Sequence, residues 1–348
     1  MSPQPRYALY TFREETIDEI VTRGFRQFGI EAKLAAGGLV MMKPNLVSDI
    51  QEYIENGCNT DIRIIESVLK FLAGYPVRVV LAESETGTRV KGRKLQRALD
   101  LMGVTRLRKK YEFEIINLTY DEQIAVDFPN GLLLKKLDLG KTSLDADLII
   151  NLPKLKTHKY ATITCSLKNM FGCIPDPLRV MYHRDIHKAV ADINSLFLDK
   201  TFVVLDGIRC MEGQGPVYGK SIDMNLVGFG DDMLVNDSLG AQIMGFDPGE
   251  VRHIQYFKKN YHDIDLDQVE MVGDLKIEDV CRRFTPSRKN WFVRMEEQLM
   301  RNRMIVRLLF SDFFRRRITY PFRGVLKKLR GGSYRWHIEE DDGSDNGK

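Results

Sequence analysis

Short β-branched or aliphatic runs alternate with amphipathic segments of helical period through most of the chain. That alternation constrains the fold more than anything else, because it is the pattern of βαβ units around a largely parallel sheet. The runs predict strands at Tyr7–Phe12, Leu39–Met42, Val77–Ala82, Phe113–Leu118, Asp147–Leu152, Phe202–Leu205 and Leu226–Phe229. Helices are predicted over Glu14–Phe28, Asp61–Ala73, Lys91–Met102, Arg184–Leu196 and Asp232–Met244. Over 61–73, Ile62, Ile65, Val68, Leu69 and Leu72 share one face, with Thr60 as the expected N-cap. The expected class is α/β: mostly parallel sheet with flanking helices, in two parts, 1–140 and 141–281. The soft boundary falls where Gly131-Leu-Leu-Leu and Asp138-Leu-Gly-Lys-Thr read as a turn-rich edge hairpin. No period of 20–50 residues suggests a repeat architecture.

With 348 residues, 43% hydrophobic and 29% charged, the chain is long enough for about two domains, each with a core. The five cysteines (Cys58, Cys165, Cys173, Cys210, Cys281) are odd in number and never form CxxC, which argues against a disulfide framework or zinc site. The start, MSPQPRYALYTF, lacks the basic-then-apolar plan of a signal peptide, and no apolar run has membrane-spanning length. A cytoplasmic setting is expected.

The net charge of +4 is unevenly divided. Residues 282–335 carry 16 Lys and Arg against Glu296, Glu297 and Asp312, a net +13, while 336–348 carry five acids and one Lys, a net −4. The remaining 281 residues are therefore acidic, at −5. Within 290–335, Trp, Phe, Leu, Ile and Met are mixed with arginines, and Pro321 divides the segment into two helical pieces. This is the composition of an amphipathic helix lying in an anionic membrane surface, here the inner face of a cell membrane. A packing helix or an acidic protein partner are the alternatives. Aromatics clustered with aliphatics, not spaced among the arginines, argue against nucleic acid. Residues 336–348 read as a disordered acidic end.

The densest chemical constellation is Asn151-Leu-Pro-Lys154-Leu-Lys156-Thr-His158-Lys159-Tyr160, directly after an apolar strand. In open parallel sheets ligands bind at the carboxyl ends of strands. Lys154, Lys156, His158 and Lys159 are therefore expected around an anion, with a solvated basic loop as the competing reading. Lys168-Asn169 follows, and then His183 and His187 in YHRDIH. At i and i+4 of one helix, the two histidines could share a metal. Arg184 stands where a zincin has its Glu, so a metalloprotease is not supported. Lys43 and Asn45 in MKPNLV are expected to enter the same cleft. Glu83-Ser84-Glu85 would either balance the lysines, hold a metal or be solvated.

The loop Glu212-Gly213-Gln-Gly215-Pro-Val-Tyr-Gly219-Lys-Ser221 departs from Walker A spacing and precedes what reads as a strand, so its expected role is weaker. Gly213 and Gly215 amides could cradle an anion, or the loop could be a plain connection. Cys165 and Cys173, with no nearby partners, do not define an iron–sulfur cluster.

KPNLV at 43–47, LPKLKTH at 152–158, SLKNMFG at 166–172, His183, DGIRCMEGQGPVYG at 206–219 and the 237–245 segment occur in the order found in the domain-of-unknown-function 362 family. The chain resembles that family over residues 38–256. Many members carry an attached ferredoxin-type cysteine cluster, whose cysteine pattern this sequence does not contain. A more distant resemblance is to the nickel-pincer lactate racemase family. It implies His158 as acid/base, Lys168, ten residues on, as tether of a nickel-bearing pyridinium nucleotide, and His183, fifteen further, as metal ligand. Gly87-Thr88-Arg89 lacks the histidine of that family's second catalytic segment.

The sequence therefore implies an enzyme acting on a small anionic substrate or nucleotide-like cofactor. Lys43, Asn45, Lys154, Lys156, Asn169, Gly213 and Gly215 would bind, His158 and Lys168 would react, and His183 and His187 would hold metal. Racemase, epimerase or redox chemistry are the classes the resemblance suggests. Two other readings remain: a non-catalytic accessory protein at the membrane surface, and an accessory electron-transfer protein using a partner's iron–sulfur cysteines.

Overall fold

The computed structural model describes residues 4–12, 15–85, 94–175, 179–288, 298–299 and 304–305. The strands are β1 (Arg6–Thr11), β2 (Gly38–Pro44), β3 (Val77–Glu83), β4 (Glu114–Asn117), β5 (Gln123–Asp127), β6 (Lys136–Gly140), β7 (Leu148–Leu152), β8 (Lys154–His158), β9 (Thr162–Thr164), β10 (Thr201–Glu212), β11 (Lys220–Gly230) and β12 (Glu270–Met271). Ten of them form one sheet in the order β12-β1-β11-β10-β7-β2-β3-β4, with β8 paired to β10 and β9 to β8. The ladders joining β10, β7, β2, β3 and β4 are parallel, as is that between β8 and β10; β9 is antiparallel to β8, and β11 lies antiparallel between β1 and β10. β5 and β6 form the edge hairpin before residue 141.

The central runs are apolar at every position because the sheet is covered on both faces. Val40, Met42, Val79, Leu81, Leu148 and Ile150 face a cluster with Ile20, Phe25, Ile65 and Val68. The alternate residues Met41, Val80 and Ile149 face one with Ala189, Val190, Leu234 and Ile254. The core is thus divided by sheet face, and strands from both sides of residue 140 share the sheet, with β7 between β2 and β10.

The helix Ile17–Gln27 begins with a capping box: Thr16 Oγ1 accepts from Glu19 N at 3.3 Å, and Glu19 Oε2 accepts from Thr16 N at 2.7 Å. The helix Ile62–Leu72 buries Ile65, Val68, Leu69 and Leu72 as expected, but its N-cap is Asp61, whose carboxylate accepts from Arg63 N. Thr60 is drawn away from the cap by the sheet; its hydroxyl donates to Leu152 O at 2.7 Å. The helices Met233–Ile243 and Arg252–Asn260 close the opposite face.

The expected strands at 202–205 and 226–229 form parts of a longer hairpin, β10 and β11, whose extension stays paired to β8. The segment 154–158, which could have been a basic loop, is a fully buried strand. Pro153 ends the β7 ladder, and the chain resumes beside β10, where Lys154 stands opposite Asp206. Most of the basic arm at 282–335, and the acidic end at 336–348, lie outside the described residues. No helix among the described residues is long and apolar enough to cross a membrane.

Candidate functional site

The carboxyl ends of β2, β3 and β7 open toward β8, the short helix Ser166–Met170 and the 3-10 segment Arg179–Asp185. Lys43, Asn45, Glu83, Asn151 and Asn169 meet there. Lys43, wholly buried, forms an ion pair with Glu83 and donates to Pro44 O at 3.0 Å. A Cβ on Gly172 would come within 2.7 Å of Lys43 Nζ, so glycine is what lets the backbone pass over this pair. Glu83, Ser84 and Glu85 are all buried, so Glu83 balances a lysine and is not solvated. Asn169 Nδ2 donates to Lys43 O at 2.9 Å and to Asn151 Oδ1 at 2.7 Å, and its Oδ1 accepts from Asn45 Nδ2 at 3.0 Å. The asparagine that follows Lys168 thereby ties the helix carrying that lysine to β2 and β7.

The three lysines of KLKTHK part company. Lys154 is buried and ion-paired to Asp206 at 2.8 Å, and the same carboxylate accepts from Asp61 N. Lys156 is also buried and donates to Asn45 Oδ1 at 2.8 Å and Cys58 O at 2.6 Å; burial lowers it to about 8. Neither extends into open cleft as a binding group, contrary to the sequence expectation, because a buried ammonium needs partners and finds them inside the fold. Lys159 lies over the Tyr160 ring at 4.6 Å.

His158 is 5% exposed at the end of β8. Its Nδ1 accepts from Tyr160 N and Ala161 N, both at 3.1 Å. Two backbone donors on Nδ1 assign the proton of the neutral ring to Nε2. The His183 ring stacks on it at 6.2 Å and 22°. His183 Nδ1 lies 3.1 Å from Val180 O, a carbonyl that can only accept, so its proton is on Nδ1 and Nε2 carries the lone pair. Burial, then the charge of Lys168, holds His158 well below the usual imidazole range and lowers His183 to about 3. Burial counts for more than the lysines that the sequence singled out.

Lys168 is half-buried, with Nζ 4.4 Å above the Phe171 ring, whose edge meets His183 at 5.7 Å. Among the described residues it has no carboxylate or hydrogen-bond partner. Burial, then the neighbouring Arg179 and Lys156, lowers it to about 7. Arg179, which the sequence reading missed, donates to Ile174 O at 2.9 Å. An arginine beside a lysine is visible in sequence only once the turn between them is known.

His183 and His187 do not share a helix face. His183 lies in the 3-10 segment, and the helix begins only at Ile186. His187 turns instead to His253, stacking at 5.8 Å. No group of three His, Cys, Asp or Glu that could hold a metal occurs among the described residues. The donors among the described residues therefore do not make up a protein-held ion site. Among the described residues, a nucleotide-like nickel group would find His183 Nε2 and the Lys168 amine. Gly213 and Gly215 do not form an amide cradle either: their N–H groups donate to Thr285 O and Gly213 O, both at 2.8 Å. The loop is tied to β8 through Lys159 N and Gly215 O at 3.2 Å.

An α/β protein is thus defined, with an amine and two imidazoles gathered beyond the carboxyl ends of its parallel strands. The chain belongs to the family described as Domain of unknown function (DUF362), which matches residues 40–242. Thylakoid-associated protein sll1697 of Synechocystis sp. (strain ATCC 27184 / PCC 6803 / Kazusa) is 32% identical over 121 residues, covering 33% of this chain and 38% of that protein. The match thus spans well under half the relative's length. The lactate racemase apoprotein from Thermoanaerobacterium thermosaccharolyticum is a distant structural neighbour, with TM-score 0.36 and 14% identity over 62% of this chain and 54% of that one. No residue role is carried across at that distance.

Proposed function

We propose that the protein is an enzyme acting on a small carboxylate- or phosphate-bearing substrate held between Lys168, Arg179 and the His158–His183 pair. The observation that carries this reading is Lys168: a half-buried lysine under the charges of Arg179, Lys156 and Lys43, where the one opposing carboxylate among the described residues, Glu83, is already paired to Lys43. An anionic ligand would supply the missing counter-charge. His158 Nε2–H can donate a hydrogen bond to a bound anion and His183 Nε2 offers a lone pair beside it, so the pair suits positioning and proton-accepting work there.

Thermal shifts of the full-length protein with phosphate, acetate and larger carboxylates, and with glucose as a neutral control, test the reading. At least one anion should raise the Tm of the wild type and leave that of Lys168→Met unchanged. A panel without effect, or an equal shift in the variant, would overturn it. Once a substrate is in hand, His158→Ala should lower turnover by roughly 10²–10⁴-fold without lowering the Tm.

A second reading concerns where the protein works. The +13 segment at 282–335, with aromatics clustered among its arginines, suits an anionic lipid surface, and a relative named as thylakoid-associated points the same way. The full chain should float with anionic vesicles and not with neutral ones. Replacing Arg315, Arg316 and Arg317 with Gln should weaken flotation; an unchanged float would remove the arm as the anchor.

A further inference from the structure

The basic arm leaves the body beside the end of β8. Arg282 N and Phe284 N donate to Ile243 O and Met244 O, both at 2.9 Å, where the helix Met233–Ile243 ends, and the Phe284 ring is buried in the core behind them. From this anchor the chain runs over the 212–219 loop. Thr285 N donates to Glu212 Oε2 and Thr285 O accepts from Gly213 N, both at 2.8 Å, and Ser287 Oγ donates to Gln214 Oε1 at 3.2 Å.

The loop in turn lies on β8. Thr157 Oγ1 donates to Gly213 O at 3.0 Å and Lys159 N to Gly215 O at 3.2 Å. A Cβ on Gly215 would fall 2.0 Å from Thr157 O, so only glycine allows the two backbones to pass this closely. Thr157 and Lys159 are the residues on either side of His158. The far end of the loop is held too, by Asn56 Nδ2 donating to Gly219 O at 2.9 Å and by the Tyr53 ring against Tyr218 at 5.3 Å. The loop is therefore a fixed platform, and the chain departs from it at a fixed place.

Lys289, Trp291 and Phe292 follow Arg288 and open the remainder of the +13 segment. An extended chain spans at most about 3.3–3.6 Å per residue, so Trp291 and Phe292 reach no further than about 10–14 Å from Arg288. Aromatics that settle at headgroup level bring the root of the arm, and the loop under it, to within that distance of the bilayer. Tyr218, 46% exposed, and the exposed Gln214 and Lys220 stand on the outer side of the loop. Around them Arg209, Lys220 and Arg288 are balanced by Glu55, Glu212 and Asp223, so the arm supplies the attraction to lipid and its root supplies the orientation.

We infer that the arm lays the 212–219 loop on an anionic lipid bilayer, so that the end of the sheet bearing His158 faces the headgroups. The amino ends of β2, β3, β7 and β10, which run parallel, then face away. This rests on the reading of the arm as a lipid anchor and adds to it the face of the body that meets the lipid.

The test is a depth measurement on full-length protein. With Cys281→Ser the four remaining cysteines are buried, so a nitroxide can be placed on Tyr218→Cys or, at the opposite end of the sheet, on Ala73→Cys. Each is bound to vesicles of phosphatidylglycerol and phosphatidylcholine, and collisions with a water-soluble nickel chelate are compared with those in free solution. Collisions should fall severalfold at 218 and stay unchanged at 73. Flotation with no fall at 218, or an equal fall at both positions, would overturn the orientation and leave the arm as the anchor. Failure to float with these vesicles would overturn both. Hydrogen exchange of wild-type peptides covering 212–220 and 73–78, with and without vesicles, makes the same comparison should Tyr218→Cys not fold: protection confined to 212–220 is expected, and protection absent there or equal in the two would overturn the orientation.

Discussion

His158 and His183 stack with ring centroids 6.2 Å apart and planes inclined by 22°, each ring fixed at Nδ1 by backbone. Stacking two imidazoles beside Lys168 is tolerable only if both are neutral, since a charge on either would face the other and the amine.

The first expectation is therefore spectroscopic. In a histidine NMR titration between pH 5 and 8, the His158 and His183 ring signals should not move, because both remain neutral down to well below 6.5. His262, whose Nε2 meets Asp232 Oδ2 at 2.5 Å, should titrate above 6.5. A midpoint near 6.5 for either stacked ring would contradict the assignment.

Removal of the Glu83 charge should be costly. Glu83→Gln leaves Lys43 buried without its counter-ion, a situation worth about 3–5 kcal/mol of lost stability. Urea unfolding of the two proteins measures it. A loss below about 1 kcal/mol would mean that Lys43 finds another partner or water.

The His262–Asp232 contact should leave a pH signature in stability. Its folded value is raised, chiefly by the hydrogen bond to Asp232, so its contribution is fully present below pH 6.5 and fades as pH rises through the folded value. Because His262 is a third exposed, the gain is below about 1 kcal/mol. Comparing His262→Ala with wild type across pH 5 to 9 should give a gap that closes upward. A gap that widens with pH would reverse the sign.

The parallel core was legible because the centres of β2, β3 and β7 are buried on both faces and so are written as short apolar runs, Leu39–Met42, Val79–Ala82 and Leu148–Ile150. β8 was not, since Lys154 and Lys156 look solvent-facing until Asp206 and Asn45, 52 and 111 residues away, are seen to satisfy them. The same blindness affected Gly213, whose amide is taken by Thr285. Local pattern identified His158, Lys168, Asn169 and His183 as neighbours. It misplaced His187, because an i, i+4 spacing means one face only if the helix has already begun, and here it starts between the two histidines.

The central claim is that Lys168 is a responsive amine awaiting an anion. Nζ-detected NMR of lysine-labelled protein tests it directly. One lysine signal should titrate near pH 7, vanish in Lys168→Met, and move to higher pH when a binding carboxylate is added. A Lys168 signal titrating near 10.5 and indifferent to every anion would contradict the account.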